Sequence, residues 1–298
     1  MSNYKITCSS TCDLTAEHLK ALDCAYIKFH YMIDGAEYPD DLFTTCTPED
    51  FYGKIKNGAL PTTSQITPAE AIEVFEPILK QGYDLLHIEF SSGLSGSYNS
   101  SLAAKAELEK KYPERKICVV DSLAASSGYG LLVDKAVELK NSGMSIDELY
   151  AWLEENKLRL RHWFFTGNLA HLKRGGRVSG AAATIGSLLK IKPILYNDGG
   201  KFEKLAMCLT SAQGRKKIID QIKKDFSGKF KEEYENNKIV ISVAHTQNEA
   251  DALKMKDEII KAFPKATFKF VDPLSLSVAC HIGPGALGIA FSVNNYLQ

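Results

Sequence analysis

The sequence predicts an α/β fold made of two α/β domains, in which mainly parallel sheets are flanked by helices. The chain has 298 residues, which exceeds the usual size of one domain. Short apolar runs rich in β-branched residues alternate with longer amphipathic stretches along most of its length. This alternation is typical of parallel strands that are joined by helices packed on the sheet.

Apolar runs of four to seven residues predict the strands, because their length and β-branched content suit buried positions in a sheet. Amphipathic stretches that predict helices lie between most of them. The predicted strands are Lys5–Cys8, Tyr26–Met32, Leu85–Phe90, Ile117–Val120, Trp163–Thr166, Ile194–Asn197, Ile239–Ala244 and Phe268–Val271.

Two helices carry a clear start signal, a hydroxyl residue followed three positions later by glutamate. Thr67 with Glu70 and Ser145 with Glu148 form this pattern, which is a capping box. Pro68 also suits the first position of a helix. The sequence therefore predicts helices over 68–80 and 145–159.

The composition changes near residue 160. A charged predicted helix ends there, and the following segment, Arg161–Gly180, combines aromatic residues, basic residues and glycines. We therefore predict an N-terminal α/β domain over 1–160 and a C-terminal α/β domain over 161–298.

The overall charge favours a small ligand over a polyanionic partner. Lys and Arg total 36, Asp and Glu total 36, and the formal net charge is zero, so no global attraction to nucleic acid or an anionic membrane is expected. No apolar run reaches about 18 residues, which predicts no membrane span, and the first residues do not resemble a signal peptide. Seven cysteines without a C-x-x-C pair predict reduced thiols and a cytoplasmic protein.

The segment Ser91–Tyr98 has the strongest functional signal. It places four serines and two glycines between a predicted strand and a helix-like stretch over 98–110. A helix N-terminus offers free N–H groups and a positive dipole, so this loop is suited to bind a carboxylate or a phosphate. The alternative is an ordinary serine N-cap, but one cap needs only one hydroxyl, and we favour an anion site.

Two further turns contain polar or basic residues that suit an anion. The turn Pro61–Gln65 offers hydroxyls, and the segment Leu169–Ser179 brings Lys173, Arg174 and Arg177 around a glycine pair. Each has a simpler explanation when considered alone. The hydroxyls suit any loop, and the cations could neutralise a helix C-terminus.

The segment His281–Gly288 contains the spacing G-x-G-x-x-G, but no predicted strand leads into it and only ten residues follow. We therefore exclude a dinucleotide site. His281 has two open interpretations, a hydrogen bond to a ligand or a structural role at a helix start.

The sequence does not support a serine hydrolase or a metal site. Ser95 lacks the second glycine of a nucleophile elbow, because Ser97 occupies that position. The histidine spacing predicts no metal site.

The order of these motifs resembles that of the DegV family, bacterial proteins that bind fatty acids, over nearly the whole chain. The motifs are Thr63–Gln65, Ser91–Gly96, Val120–Ser122, Leu172–Arg177, Ile191–Leu195 and His281–Gly285. The resemblance implies a two-domain carrier that is not an enzyme and has no cofactor. It implies one long-chain fatty acid in an apolar tunnel, with the carboxylate at the domain junction. It also implies a fatty acid kinase as a partner, which would form the acyl phosphate used in phospholipid synthesis.

The resemblance also implies the ligands of the carboxylate. They are Thr63, Ser64, Ser95, Gly96 through its N–H, His281, and Arg174 with Arg177 as the alternative. Cys280 and Ile282 depart from the family, which usually has hydroxyl residues on both sides of the histidine, so we expect fewer hydrogen bonds to the head group. Two other functions stay open, an acyl- or phosphoryl-transfer enzyme that uses the serine loop and a lipid-sensing regulatory protein.

Overall fold

The computed structural model describes residues 3–167, 169–177 and 191–293. Its strands are β1 (Tyr4–Ser9), β2 (Ala25–Ile27), β3 (Phe29–Ile33), β4 (Ala36–Asp40), β5 (Thr62–Ser64), β6 (Asp84–Glu89), β7 (Ile117–Asp121), β8 (Arg161–Phe165), β9 (Lys192–Asp198), β10 (Lys201–Cys208), β11 (Ile239–His245), β12 (Thr267–Pro273) and β13 (Leu287–Val293). Its α-helices are α1 (Ala16–Ala21), α2 (Pro48–Lys56), α3 (Pro68–Lys80), α4 (Ser97–Lys111), α5 (Ser126–Asn141), α6 (Ile146–Asn156), α7 (Leu169–Gly175), α8 (Ser211–Ser227), α9 (Lys231–Glu235), α10 (Glu249–Ala262) and α11 (Leu276–Ile282).

The first sheet has the order β2-β1-β6-β7, and every neighbouring pair in it is parallel. Helices α3 to α6 pack against it and share one hydrophobic core with its strands. This core includes Ile6, Phe75, Leu86, Leu108, Val120, Leu132 and Leu149. The predicted α/β class is confirmed, and in this sheet the strands are parallel as predicted.

The second sheet has the order β10-β9-β8-β13-β11-β12, and it differs from the predicted mainly parallel sheet. Only β11 and β12, which α10 connects, are parallel among its described pairs. The turn between β9 and β10 has two residues, Gly199 and Gly200, both with positive φ, and such a tight hairpin forces antiparallel pairing. Strand β13 then runs antiparallel to both β8 and β11.

A third, antiparallel sheet has the order β4-β3-β5. The predicted strand Tyr26–Met32 is in fact two strands, because β2 belongs to the first sheet and β3 to the third. At the break, the Phe29 N–H donates to Ser10 Oγ at 3.1 Å instead of continuing one ladder. The sequence analysis did not predict β4, β5, β10 or β13.

Both predicted capping boxes are present. Thr67 and Glu70 start α3, which covers the predicted residues, and Ser145 and Glu148 start α6. Helix α6 ends at Asn156, and a 3₁₀ turn continues the chain to Arg159. In the described residues, no helix combines the length and apolar character that crossing a bilayer requires.

The strands before residue 160 form the first and third sheets, and those after it form the second. Helix α11 follows residue 160 in the chain but packs near the third sheet, which precedes it. Its residues Leu276, Ala279 and Cys280 share one cluster with Tyr31 and Phe51. The boundary between 1–160 and 161–298 stays a prediction.

Candidate ligand-binding site

One cavity is lined by residues from both sides of residue 160. The loops that follow β1, β6 and β7 contribute to it, and these strands are parallel, so their carboxyl ends lie at one edge of the first sheet. Ligands of parallel α/β sheets commonly bind at this edge. Most of the wall is apolar, and it includes Phe29, Phe90, Leu94, Trp163, Phe164, Leu172, Phe202, Leu274, Val278, Ile282, Ala286 and Ile289.

Five of the six predicted site residues line this cavity, namely Thr63, Ser64, Ser95, Gly96 and His281. Thr63 Oγ1 lies 2.8 Å from His281 Nε2, which joins β5 to α11 across the cavity wall. Burial and the positive charge of Arg177 lower the pKa of His281 to about 4. The imidazole is therefore neutral at pH 7, and Thr63 and His281 form a neutral hydrogen-bonding pair.

The serine loop is held in a tight turn before α4. The Ser91 carbonyl accepts hydrogen bonds from the N–H groups of Leu94 and Ser95, both at 3.1 Å. Ser95 Oγ accepts from the Ser97 N–H at 3.2 Å and lies 2.8 Å from Ser97 Oγ. The N-cap of α4 is Gly96, which has no side chain to cap the helix, so Ser95 is not the N-cap; its hydroxyl holds the first helical residue and also lines the cavity. The anion site stays a prediction.

Gly96 is at a position where a side chain has no room. A Cβ atom there would lie 2.0 Å from Gln65 Oε1. Gln65 also lines the cavity and was missing from the predicted ligands, although it belongs to the motif Thr63–Gln65. The amide end of Gln65 therefore packs directly on Gly96, so the residue after β5 contacts the serine loop.

The arginine in the cavity wall is Arg177. Its Nη1 donates to the Gly175 carbonyl at 2.8 Å and its Nε donates to the Leu94 carbonyl at 3.3 Å, so the guanidinium lies beside the serine loop. Arg174, which the sequence analysis named first, is not among the described lining residues, and its Nη2 lies 2.9 Å from His171 Nδ1. The remaining residues of that motif, Val178 and Ser179, lie outside the described residues.

Gly175, the first glycine of the pair in the same motif, lets α7 approach the histidine. A Cβ atom on Gly175 would lie 2.9 Å from His281 Nδ1 and 3.1 Å from its Cβ. On either side of His281, Cys280 is buried in the cluster with Tyr31, and Ile282 lines the cavity. Where the family usually has hydroxyl residues, this chain therefore has a cysteine that packs in the core and an isoleucine that adds to the apolar wall.

The β9–β10 hairpin reaches across to the serine loop. Ser91 Oγ donates to the Gly200 carbonyl at 2.7 Å, and Asn197 Nδ2 donates to the Leu123 carbonyl at 2.9 Å. Phe202, next on β10, lines the cavity and contacts Phe164 edge-to-face at 4.9 Å between ring centroids. The sequence analysis missed this connection, for which the Gly199–Gly200 pair was the only local signal.

The described residues contain no group of three or more His, Cys, Asp and Glu arranged to hold a metal ion. Thr7 Oγ1, His87 and Glu89 do form a hydroxyl–imidazole–carboxylate chain, with 2.9 Å to His87 Nδ1 and 3.1 Å from Nε2 to Glu89 Oε2. All three side chains are fully buried, and none of them lines the cavity, so a substrate in the cavity cannot reach these three residues.

Comparison with known proteins places this site in a family context. The family model described as "Uncharacterised protein, DegV family COG1307" matches residues 3–294. A DegV domain-containing protein of Clostridium perfringens is 41% identical over 292 residues, covering 98% of both chains. Among solved structures, a DegV family protein from Thermus thermophilus described by its fatty acid binding is 28% identical, with TM-score 0.87 and coverage of 98% of this chain and 99% of that one. DegV of Bacillus subtilis, described as a fatty acid binding protein, is 29% identical, with TM-score 0.82 and coverage of 98% and 100%.

Proposed function

Because this chain belongs to the DegV family, we propose that it binds one long-chain fatty acid in the cavity between its sheets. The carboxylate would lie against Thr63, Ser95 and His281, and the acyl chain would run along the apolar wall. The observation that carries the proposal is the contact of 2.8 Å between Thr63 Oγ1 and His281 Nε2, which forms a polar end in a largely apolar cavity.

The polar end has donors suited to a carboxylate. The hydroxyls of Thr63 and Ser95 and the Gly96 N–H at the start of α4 can donate hydrogen bonds, and each bond to a charged group contributes about 1.5–3 kcal/mol. Arg177 supplies a positive charge beside the serine loop. Ser64 lines the cavity next to Thr63 and extends this set.

The acyl chain would supply most of the affinity. Burying a methylene contributes about 0.8 kcal/mol, whereas the hydroxyls mainly fix the orientation of the ligand. Phe29, Phe90, Leu94 and Phe202 are among the side chains that would surround the chain.

We further propose that the protein presents the carboxylate to a fatty acid kinase, and that the acyl phosphate enters phospholipid synthesis. Lys173 and Arg174 support this proposal, because both are exposed and precede Arg177 at the cavity wall. Two exposed cations at this place suit a partner with acidic groups or bound phosphates. Arg174 would then contact the kinase, on the side of the carboxylate that faces it.

The proposed location is the cytoplasm. All seven cysteines are free thiols in the structure, and six of them are buried. Free thiols persist in a reducing compartment, and this agrees with a kinase partner that uses nucleotide inside the cell.

Native mass spectrometry of the purified protein tests the proposal. We expect a mass increase equal to one fatty acid, which extraction and chromatography then identify. A protein that is empty and also takes up no palmitic, stearic or oleic acid would contradict the carrier function. Incubation with ATP and fatty acid separates the alternatives, because a carrier alone forms no acyl phosphate and a transferase does.

A further inference from the structure

The cavity has a second polar zone apart from the Thr63–His281 pair. It is formed by side chains from the turn after β1, the start of α5, β8 and the start of α11. On α11, Ser277 precedes His281 by four residues, which corresponds to about 6 Å along a helix. The lining residues of this zone are Thr11, Ser126, Ser127, His162 and Ser277.

Two buried polar atoms of this zone, His162 Nε2 and Ser277 Oγ, have no hydrogen bond among the described residues. The His162 side chain is the larger of the two, and the residue is 6% exposed. The ring is wedged against α5, since a Cβ atom on Gly128 would lie 2.2 Å from His162 Cε1. Burial and the charge of Arg161 lower the pKa of His162 to about 3, so the imidazole is neutral. A purely apolar ligand would leave this polar group unsatisfied.

The start of α5 adds unsatisfied donors to the same zone. Its N-cap, Ala125, has no side chain that can accept a hydrogen bond from the first turn, and the first N–H groups of a helix lack partners within it. Ala125, Ser126 and Ser127 all line the cavity. The helix start and the unpartnered His162 side chain therefore meet at one wall.

The charge of this zone disfavours a second anion. Ser126 Oγ donates to Asp13, a carboxyl group 3% exposed. Burial, reinforced by the nearby charge of Asp40, raises the pKa of Asp13 to about 7, which means that the surroundings resist negative charge. A neutral group that both donates and accepts a hydrogen bond fits these neighbours better than a carboxylate.

We propose that this second polar zone binds a hydroxyl group on the acyl chain, so that the preferred ligand is a hydroxylated long-chain fatty acid. The hydroxyl oxygen would accept from Ser127 or from the first turn of α5, and its hydrogen would be donated to the His162 imidazole. This inference rests on the proposed function, because the carboxylate must be held at Thr63 and Ser95 for the acyl chain to reach His162.

The test compares stearic acid with a series of hydroxystearic acids that differ in the position of the hydroxyl. Affinity is measured by displacement of a fluorescent fatty acid. One position, or a few adjacent ones, should bind about threefold to tenfold more tightly than stearic acid, as expected for one additional hydrogen bond. If no isomer binds more tightly than stearic acid, the inference is wrong.

The variant His162→Leu should reverse this preference, with tighter binding of stearic acid and weaker binding of the favoured isomer. Ser127→Ala is the second variant. It should reduce the preference for the hydroxylated acid without tightening the binding of stearic acid, because His162 is retained. A preference that persists in both folded variants would overturn the assignment. Failure of stearic acid and of every isomer to bind wild-type protein would instead overturn the proposed function itself.

Discussion

Thr63 and His281 are 218 positions apart in the chain, yet their Oγ1 and Nε2 atoms lie 2.8 Å from each other. Strand β5 carries the first and helix α11 carries the second. Helix α11 also packs beside the third sheet, which contains β5, through Ala279 and Cys280. The polar end of the cavity is therefore assembled by packing between an element from the first quarter of the chain and one near its C-terminus.

Removing the Thr63 hydroxyl should weaken ligand binding. Thr63→Val keeps the shape of the side chain but removes the bond to His281 and a donor to the carboxylate. We expect the affinity for stearic acid to fall about tenfold or more, as for a hydrogen bond to a charged group. Thr62→Val is the matched control, because Thr62 is exposed and does not line the cavity. Equal affinities of the two variants in a displacement assay would contradict the role of Thr63.

Ser95→Ala should reduce both affinity and stability. The carboxylate loses a donor, and the Ser97 N–H loses its acceptor, and the loss of one such hydrogen bond costs about 0.5–1.5 kcal/mol of unfolding free energy. Displacement titrations and chemical denaturation measure the two effects. Ser92→Ala is the control in the same loop, since Ser92 is exposed and outside the cavity wall. A loss of stability without a loss of affinity would show that Ser95 only supports the turn before α4.

A methyl group on Gly96 should disturb the site through Gln65. Gly96→Ala places its Cβ against Gln65 Oε1, the end of a flexible side chain, so we expect a small loss of stability and a clear loss of affinity. The double variant Gln65→Ala with Gly96→Ala removes the collision and should recover the thermal midpoint of Gly96→Ala. If the double variant is no more stable than the single one, the collision is not the cause.

His162 should make the protein sensitive to acid. Burial lowers its pKa from the usual 6.5 to about 3 in the folded state, so the unfolded state binds one more proton in that interval. Stability is therefore lost as pH falls below about 6.5, with a slope of up to about 1.4 kcal/mol per pH unit. Relative to wild type, His162→Leu should gain about 2 kcal/mol between pH 7 and pH 5 in urea denaturation. A constant difference across this range would show that His162 titrates normally.

The bond between Ser91 and Gly200 should link the hairpin to the serine loop. Ser91→Ala leaves the Gly200 carbonyl without its donor in a buried place, which costs about 1–3 kcal/mol of unfolding free energy. Because the hairpin also carries Phe202 into the cavity wall, we expect weaker fatty acid binding as well. Hydrogen exchange should rise over 197–203 in this variant. Unchanged exchange there would mean that other contacts hold the hairpin.

The local features of this fold could be predicted because neighbouring residues determine them. The capping boxes at Thr67 and Ser145 need only residues three positions apart, and both helices start where predicted. The serine loop was recognised for the same reason, since its hydroxyls follow an apolar strand directly. Five of the six predicted ligands line the cavity, and Arg177, the alternative to Arg174, lines it as well.

By itself the sequence determined the α/β class, the loops with hydroxyls and glycines, and the family to which the chain belongs. Only the tertiary structure decided that Gly200 of the β9–β10 hairpin bonds Ser91, that Arg177 and not Arg174 lines the cavity, and that His281 bonds Thr63. It also brought His162 to the start of α5. These contacts join residues far apart in the chain, and their partners depend on how sheets and helices pack, which local propensity does not encode.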